Sequence, residues 1–164
     1  MQGIIRRYPA ESSKSALLPV LHIAQAEHGW LSVPVMDKVA EIMNLQPIEV
    51  YEVASFYTMF HLKPVGNCLI EVCRTSSCWL RGAYDVVSYI EHKLGIKDGE
   101  TTADGKFSLR TVECLGSCGT APMLQIGEKF YENLTLEKVD DIINEHRNKE
   151  QHSAYMDNET FFIR

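Results

Sequence analysis

No run of about 18 apolar residues occurs in the chain, the length a membrane-spanning helix needs. Nor does an apolar stretch follow Arg6 and Arg7, so neither a secretory leader nor a transit leader is evident. A basic stripe is missing as well: 16 lysines and arginines stand against 22 acidic residues, for a net charge of -6, and the cations are scattered. That distribution argues against nucleic acid as a partner. There is no Gly-x-Gly-x-x-Gly, no P-loop and no Gly-x-Ser-x-Gly, so any nicotinamide or flavin chemistry has to be supplied by another chain. Cys-x-x-Cys is absent too, which removes the motif of a thioredoxin-type dithiol exchange. The expected location is the cytoplasm, where thiols stay reduced unless a metal holds them.

What is present is a pair of cysteine pairs. Four of the 5 cysteines form Cys73-x4-Cys78 and Cys114-x3-Cys118, separated by residues 79–113. A length of 164 residues, 45% of them hydrophobic, is enough for one sizeable core or two small ones. The six histidines, at 22, 28, 61, 92, 146 and 152, are dispersed and suggest no site of their own.

Helical periodicity dominates the first part of the chain. From Ser13 to His28, Ala16, Leu17, Val20, Leu21, Ile23 and Ala24 share helical spacing, with serine caps before them, Gly29 after, and Pro19 in or near the first turn. A second helix is predicted after Pro34, ending near Asn44, and a third opens at Pro47 with Val50, Val53, Ala54 and Tyr57 on one face. Lys63-Pro64-Val65-Gly66 reads as a turn. Beyond it the pattern predicts a buried strand over 68–73 and a helix from about Cys78 to Leu94, capped by Ser76 or Ser77, with Leu80, Val86, Val87, Ile90 and Leu94 inward. Strands follow at 107–113, 122–126 and 129–132, then a helix over 134–147 opened by Thr135. The expected fold class is α/β in the α+β sense: a three-helix N-terminal bundle (residues 1–62), a thioredoxin-like β-α-β-β-α domain (63–147) and a C-terminal tail (148–164) whose Phe161-Phe162-Ile163 end is apolar.

Both cysteine pairs fall where predicted strands run into loops, the position from which a sheet can present ligands. A pair of thiolates on one short loop suits one iron, and a second pair suits another, so four cysteines supply a [2Fe-2S] cluster. Cys-x4-Cys is wider than the Cys-x2-Cys knuckle of structural zinc sites. Zinc, or plain burial of the thiols as small apolar groups, remains open at this point; Cys68, inside a strand pattern, reads as such a buried thiol. Residues 74–77 and 115–117 are placed to aim backbone N–H groups at the sulfurs.

The runs EVCRTSSCWLRGA, GIKDGETTADGKFSL and VECLGSCGTAPMLQI, with YENLT after them, resemble the thioredoxin-like [2Fe-2S] ferredoxin family. HIAQAEHGWLS and VYEVASFYTMF extend the likeness into the helical region, so that it spans roughly residues 10–147. The resemblance implies that Cys73, Cys78, Cys114 and Cys118 hold one [2Fe-2S] cluster, leaving Cys68 outside. It implies an electron-transfer subunit of an NADH:quinone oxidoreductase, respiratory complex I, peripheral to the inner face of the membrane through that complex. NADH and FMN are then expected on a partner flavoprotein subunit, forming a heterodimer with this chain. The equivalent small subunit of an NAD-linked hydrogenase or formate dehydrogenase is the alternative, and a zinc-stapled assembly module is one of a different class. Two departures from the family pattern stand out: Arg74 follows the first cysteine, where a smaller polar residue is common, and the tail past Arg147 is longer than usual.

Overall fold

The computed structural model describes residues 1–148; residues 149–164, with the apolar Phe161-Phe162-Ile163 end, lie outside the described residues. The chain forms two compact units, Met1–Pro64 and a second one that begins at Val65.

In the first unit a short helix α1 (Gln2–Ile5) and a 3-10 segment (Ala10–Ala16) lead into α2 (Leu17–His28), α3 (Val33–Met43) and α4 (Pro47–Phe56). The expected serine-capped start at Ser13 is not the start of α2. Ser12 has non-helical φ and ψ, Ser13 belongs to the 3-10 segment, and α2 begins at Leu17 with no side-chain cap. Pro19 then sits in the first turn, where its missing N–H has no intrahelical partner to lose. Gly29 (φ 77) and Asn44 (φ 53) end α2 and α3 in the left-handed region, which glycine and asparagine adopt most cheaply. Pro47 opens α4, and Glu49 reaches back to accept the Gln46 backbone N–H at 2.9 Å. Val20, Leu21, Ala24, Leu31, Val39, Ala40, Val50 and Ala54 form the core between these helices.

One buried amide also holds this unit together. Gln25 of α2 donates from Nε2 to the Met59 carbonyl at 2.9 Å and accepts the His61 N–H at Oε1 at 2.6 Å. The His61 carbonyl in turn accepts the Leu31 N–H at 2.8 Å. The segment after α4 is thereby fastened to α2 and to the start of the next connection. Phe60 points into the core, whereas Phe56 is 76% exposed.

The second unit comprises β1 (Cys68–Cys73), α5 (Ser76–Leu80), α6 (Ala83–Leu94), β2 (Phe107–Val112), a 3-10 turn (Cys118–Thr120), β3 (Leu124–Ile126), β4 (Lys129–Tyr131) and α7 (Leu136–Asn148). Its four-stranded sheet has the order β2-β1-β3-β4. Strand β1 runs parallel to β2 and antiparallel to β3, and β3 and β4 pair antiparallel. A parallel neighbour requires a crossover, and α5 with α6 supplies it. The central position of β1 explains its nearly continuous apolar sequence, since both faces are covered. Cys68, Ile70, Val72, Phe107, Leu109, Leu124 and Ile126 from the sheet share one core with Val86, Ile90, Val139 and Ile143 from α6 and α7. Cys68 is therefore a core residue, 5% exposed.

The single helix expected from about Cys78 to Leu94 is two. Gly82 adopts φ 89 and breaks it, and the first piece starts at Ser76 after Thr75 with no side-chain cap. Residues before the break lose the α6 face, so Leu80, expected inward, is 77% exposed. Thr135 does open α7, accepting the Lys138 N–H at 3.3 Å.

Candidate metal centre

The parallel register of β1 and β2 pairs Cys73 with Val112, so both strands finish at the same end of the sheet. Cys114 lies two residues past Val112, and Cys78 and Cys118 lie on the turns that follow each strand, the former in α5 and the latter at the start of the 3-10 turn. Two cysteine loops distant in sequence are thus neighbours at one sheet edge. Arg74 continues the pairing, donating its N–H to the Val112 carbonyl at 3.0 Å, and its guanidinium forks onto the Glu113 carboxylate at 2.9 and 3.3 Å. The positive charge beside the first cysteine therefore has a counter-charge beside the third.

Cys73 and Cys78 are each 2% exposed, packed with Ala83, Ala121 and Met123, whereas Cys114 and Cys118 lie at the surface. The sulfurs associate two by two. Cys114 and Cys118 Sγ are 3.5 Å apart, and the thiols of Cys73 and Cys78 hydrogen-bond each other. Two thiolates on one tetrahedral metal with bonds of ~2.3 Å stand about 3.8 Å apart, so the second pair is already close to that edge length. Among the described residues no group of three or more His, Cys, Asp or Glu side chains could hold a metal ion about one centre. The donor set fits a core of two irons with two thiolates each better than it fits one four-coordinate ion.

Polar groups converge on all four sulfurs. Burial opposes ionisation of Cys73, but the Thr75 hydroxyl at 3.4 Å, the N–H groups of Thr75 and Leu115 and the Cys78 thiol outweigh it and lower its pKa. Cys78 is pushed up to about 11 by burial and by the neighbouring Cys73, against one N–H bond from Met123. The Gly116 N–H, at 3.4 Å, together with Cys118 and the Thr75 hydroxyl, lowers the pKa of Cys114. Cys118 is raised by its hydrogen bond to Cys114 and by that thiolate's charge, while Ser77 opposes the shift. Each pair therefore combines one sulfur whose pKa is lowered with one whose pKa is raised. Thr75 contacts a sulfur of each pair, and Ser77 reaches from the first loop to the second pair. These donors are of the kind that stabilise anionic sulfur clusters.

The four cysteines singled out in the sequence are brought together, and the loops 74–77 and 115–117 do supply donors. Met123 is an addition that sequence reasoning misses. It follows the cis Ala121-Pro122 bond, its carbonyl accepts the Cys73 N–H at 3.2 Å, and its own N–H faces Cys78. Nothing in a methionine side chain announces a backbone role.

Residues 1–147 match the thioredoxin-like [2Fe-2S] ferredoxin family. The chain belongs to that family. The E subunit of the NADH-quinone oxidoreductase of Rickettsia bellii (strain RML369-C) is 51% identical over 148 residues, covering 90% of this chain and 89% of that protein. The mitochondrial NADH dehydrogenase [ubiquinone] flavoprotein 2 of Dictyostelium discoideum is 44% identical over 149 residues, covering 90% of this chain and 60% of that one. Among solved structures, the NAD+-reducing [NiFe]-hydrogenase in its H2-reduced state aligns with a TM-score of 0.73 at 22% identity. That alignment covers 82% of this chain and 22% of the hydrogenase chain, a likeness of fold. No helix among the described residues is long and apolar enough to cross a membrane.

Proposed function

We propose that this chain is the electron-transfer subunit of an NADH:quinone oxidoreductase, with one [2Fe-2S] cluster held by Cys73, Cys78, Cys114 and Cys118. The observation that carries the proposal is the meeting of two thiol pairs at one sheet edge, each sulfur met by at least one N–H or O–H donor. The similarity to relatives named as subunits of NADH dehydrogenases supports the choice of complex.

When bound, the cluster supplies a centre that takes up and releases single electrons. The chain's part is to hold that centre and set its surroundings. Cys73 and Cys78 bind from the buried side, where Ala83, Ala121 and Met123 exclude water. Cys114 and Cys118 bind from the exposed side, the side open to an electron donor or acceptor. The N–H groups of Thr75, Leu115, Gly116 and Met123 and the hydroxyls of Thr75 and Ser77 offset the negative charge of the thiolates, which favours the reduced state. NADH and FMN belong to a partner flavoprotein subunit, because this chain carries no nucleotide-binding motif. The pair then acts within a larger complex at the inner face of the membrane. A second reading, the equivalent subunit of an NAD-linked hydrogenase, is favoured by the fold shared with the hydrogenase chain; the partner that co-purifies separates the two.

The test is anaerobic purification of the chain, with iron and sulfide analysis, visible absorption and EPR after dithionite reduction. Two irons and two sulfides per chain with one spin-half signal are expected, and Cys114→Ser should abolish that signal. Colourless protein with one zinc, or well-folded protein with no metal, overturns the reading.

A further inference from the structure

The YENLT run, residues 131–135, contributes no cysteine and lies 13 or more residues past Cys118, yet it meets the second cysteine loop. Glu132 follows β4 directly. Its Oε1 accepts hydrogen bonds from two hydroxyls of that loop, Ser117 Oγ and Thr120 Oγ1, the latter at 2.6 Å. Ser117 immediately precedes Cys118, and Thr120 ends the 3-10 turn that Cys118 begins. The two hydroxyl oxygens are themselves 2.7 Å apart. The next residue, Asn133, donates its N–H to the Thr120 carbonyl at 2.7 Å, and Leu134 donates to the Pro122 carbonyl at 3.0 Å.

An ionised carboxylate only accepts, so it fixes the direction of both hydroxyl protons. Charge-assisted bonds of this kind are about twice as strong as neutral ones. Cys118 and its neighbours are exposed or half-buried, and little apolar packing holds them: none of residues 116–120 belongs to a core. The turn's own bond from the Thr120 N–H to the Ser117 carbonyl, at 3.2 Å, is thus supplemented by the carboxylate clasp and the two backbone bonds, which tie the turn to the chain after β4.

We infer that Glu132 is a positioning residue for the metal centre: it clasps Ser117 and Thr120 and so holds Cys118 at the separation from Cys114 that one iron requires. This rests on the proposed function, since it presupposes the cluster. Glu132 touches no sulfur in the contacts described, so its effect runs through the loop. Its negative charge, near the exposed pair, also works against adding an electron.

The experiment compares the full-length, iron-loaded chain with Glu132→Ala, Glu132→Gln and Ser117→Ala/Thr120→Val, measuring the rate of bleaching by an iron chelator and the midpoint potential by EPR-monitored titration. Glu132→Ala should release iron roughly tenfold faster, at the low end of what loss of an outer-shell partner costs a metal site. The double hydroxyl variant should do the same from the opposite side of the clasp. Glu132→Gln keeps an acceptor oxygen and loses the charge assistance, so its release rate should fall between those of the wild type and Glu132→Ala while its potential rises. Equal release rates in wild type, Glu132→Ala and the double variant overturn the inference while leaving the cluster assignment standing. A wild-type chain that never retains iron overturns both. Glutamine failing to rescue, with release as fast as in Glu132→Ala, overturns the clasp as the cause.

Discussion

At the residue scale the four cysteines differ by environment more than by chemistry. In the metal-free chain the pKa values of Cys73 and Cys114 are lowered and those of Cys78 and Cys118 raised, so binding of a metal must displace protons from at least the latter two. Raised pKa values mean that these protons are bound at neutral pH and leave as pH rises. Metal uptake should therefore tighten with pH, by up to about tenfold per unit for each proton displaced. Titration of the metal-free chain with cobalt at pH 7 and pH 8, read from the thiolate charge-transfer band, checks this; an unchanged affinity would refute it. His22 shows the opposite sign. Burial lowers its pKa from 6.5, and its ring lies 5.0 Å from that of Phe60. The unfolded chain thus takes a proton at a higher pH than the folded one. The stability that a neutral His22 contributes is complete above the unfolded value and is lost as pH falls through the folded one. Urea unfolding followed from pH 7 to pH 5 should show this decline, and His22→Phe, which keeps a ring against Phe60, should flatten it.

At the scale of elements, joints matter more than the elements themselves. The Gln25 amide joins α2 to the segment after α4 with both of its hydrogen-bonding groups used. Gln25→Leu would preserve packing volume but leave the Met59 carbonyl and the His61 N–H without their partner, at a cost of about 2–4 kcal/mol. Equilibrium urea denaturation measures it, and a loss below about 1 kcal/mol would mean that water replaces the amide. Gly66 is a joint of another kind. A Cβ there would lie 2.8 Å from the Phe107 carbonyl carbon and 3.0 Å from the Lys106 carbonyl, backbone atoms that side-chain rotation cannot clear. Gly66→Ala should cost on the order of 1–3 kcal/mol, as overpacking does, seen as a lower thermal midpoint. The start of β1 would have to move away from the start of β2, at the end of the strands opposite Cys73.

At the scale of the whole molecule, a bound metal favours only the folded state and so adds stability by mass action. Removal of the metal by an anaerobic chelator should lower the thermal midpoint and speed amide exchange at 74–79 and 115–123, where the loops rely on sulfur contacts; unchanged exchange there would show loops shaped without metal. Much of this organisation is legible in the chain. The apolar run 68–73 is a strand because its position at the sheet centre buries both faces, and such a strand needs little else to be recognised. The helices after Pro34 and Pro47 carry proline at their starts, a purely local signal. The α-helix expected from Ser13 begins at Leu17, after a 3-10 segment that shares its apolar spacing, and the helix expected to run unbroken to Leu94 breaks at Gly82, because periodicity averages over several residues and cannot register a change of helix type or one residue leaving helical φ and ψ. Cysteine spacing and residue type, which are covalent and local, determined by themselves that the chain carries two candidate metal-binding pairs, while the likeness to the ferredoxins lies in the longer runs of sequence around them. Which sulfurs are buried, which hold their protons, and that Met123 and Glu132 serve the same centre were decided only by tertiary structure, because burial, charge and hydrogen bonding depend on what β1, β2 and the 114–123 loop bring within a few ångströms of one another.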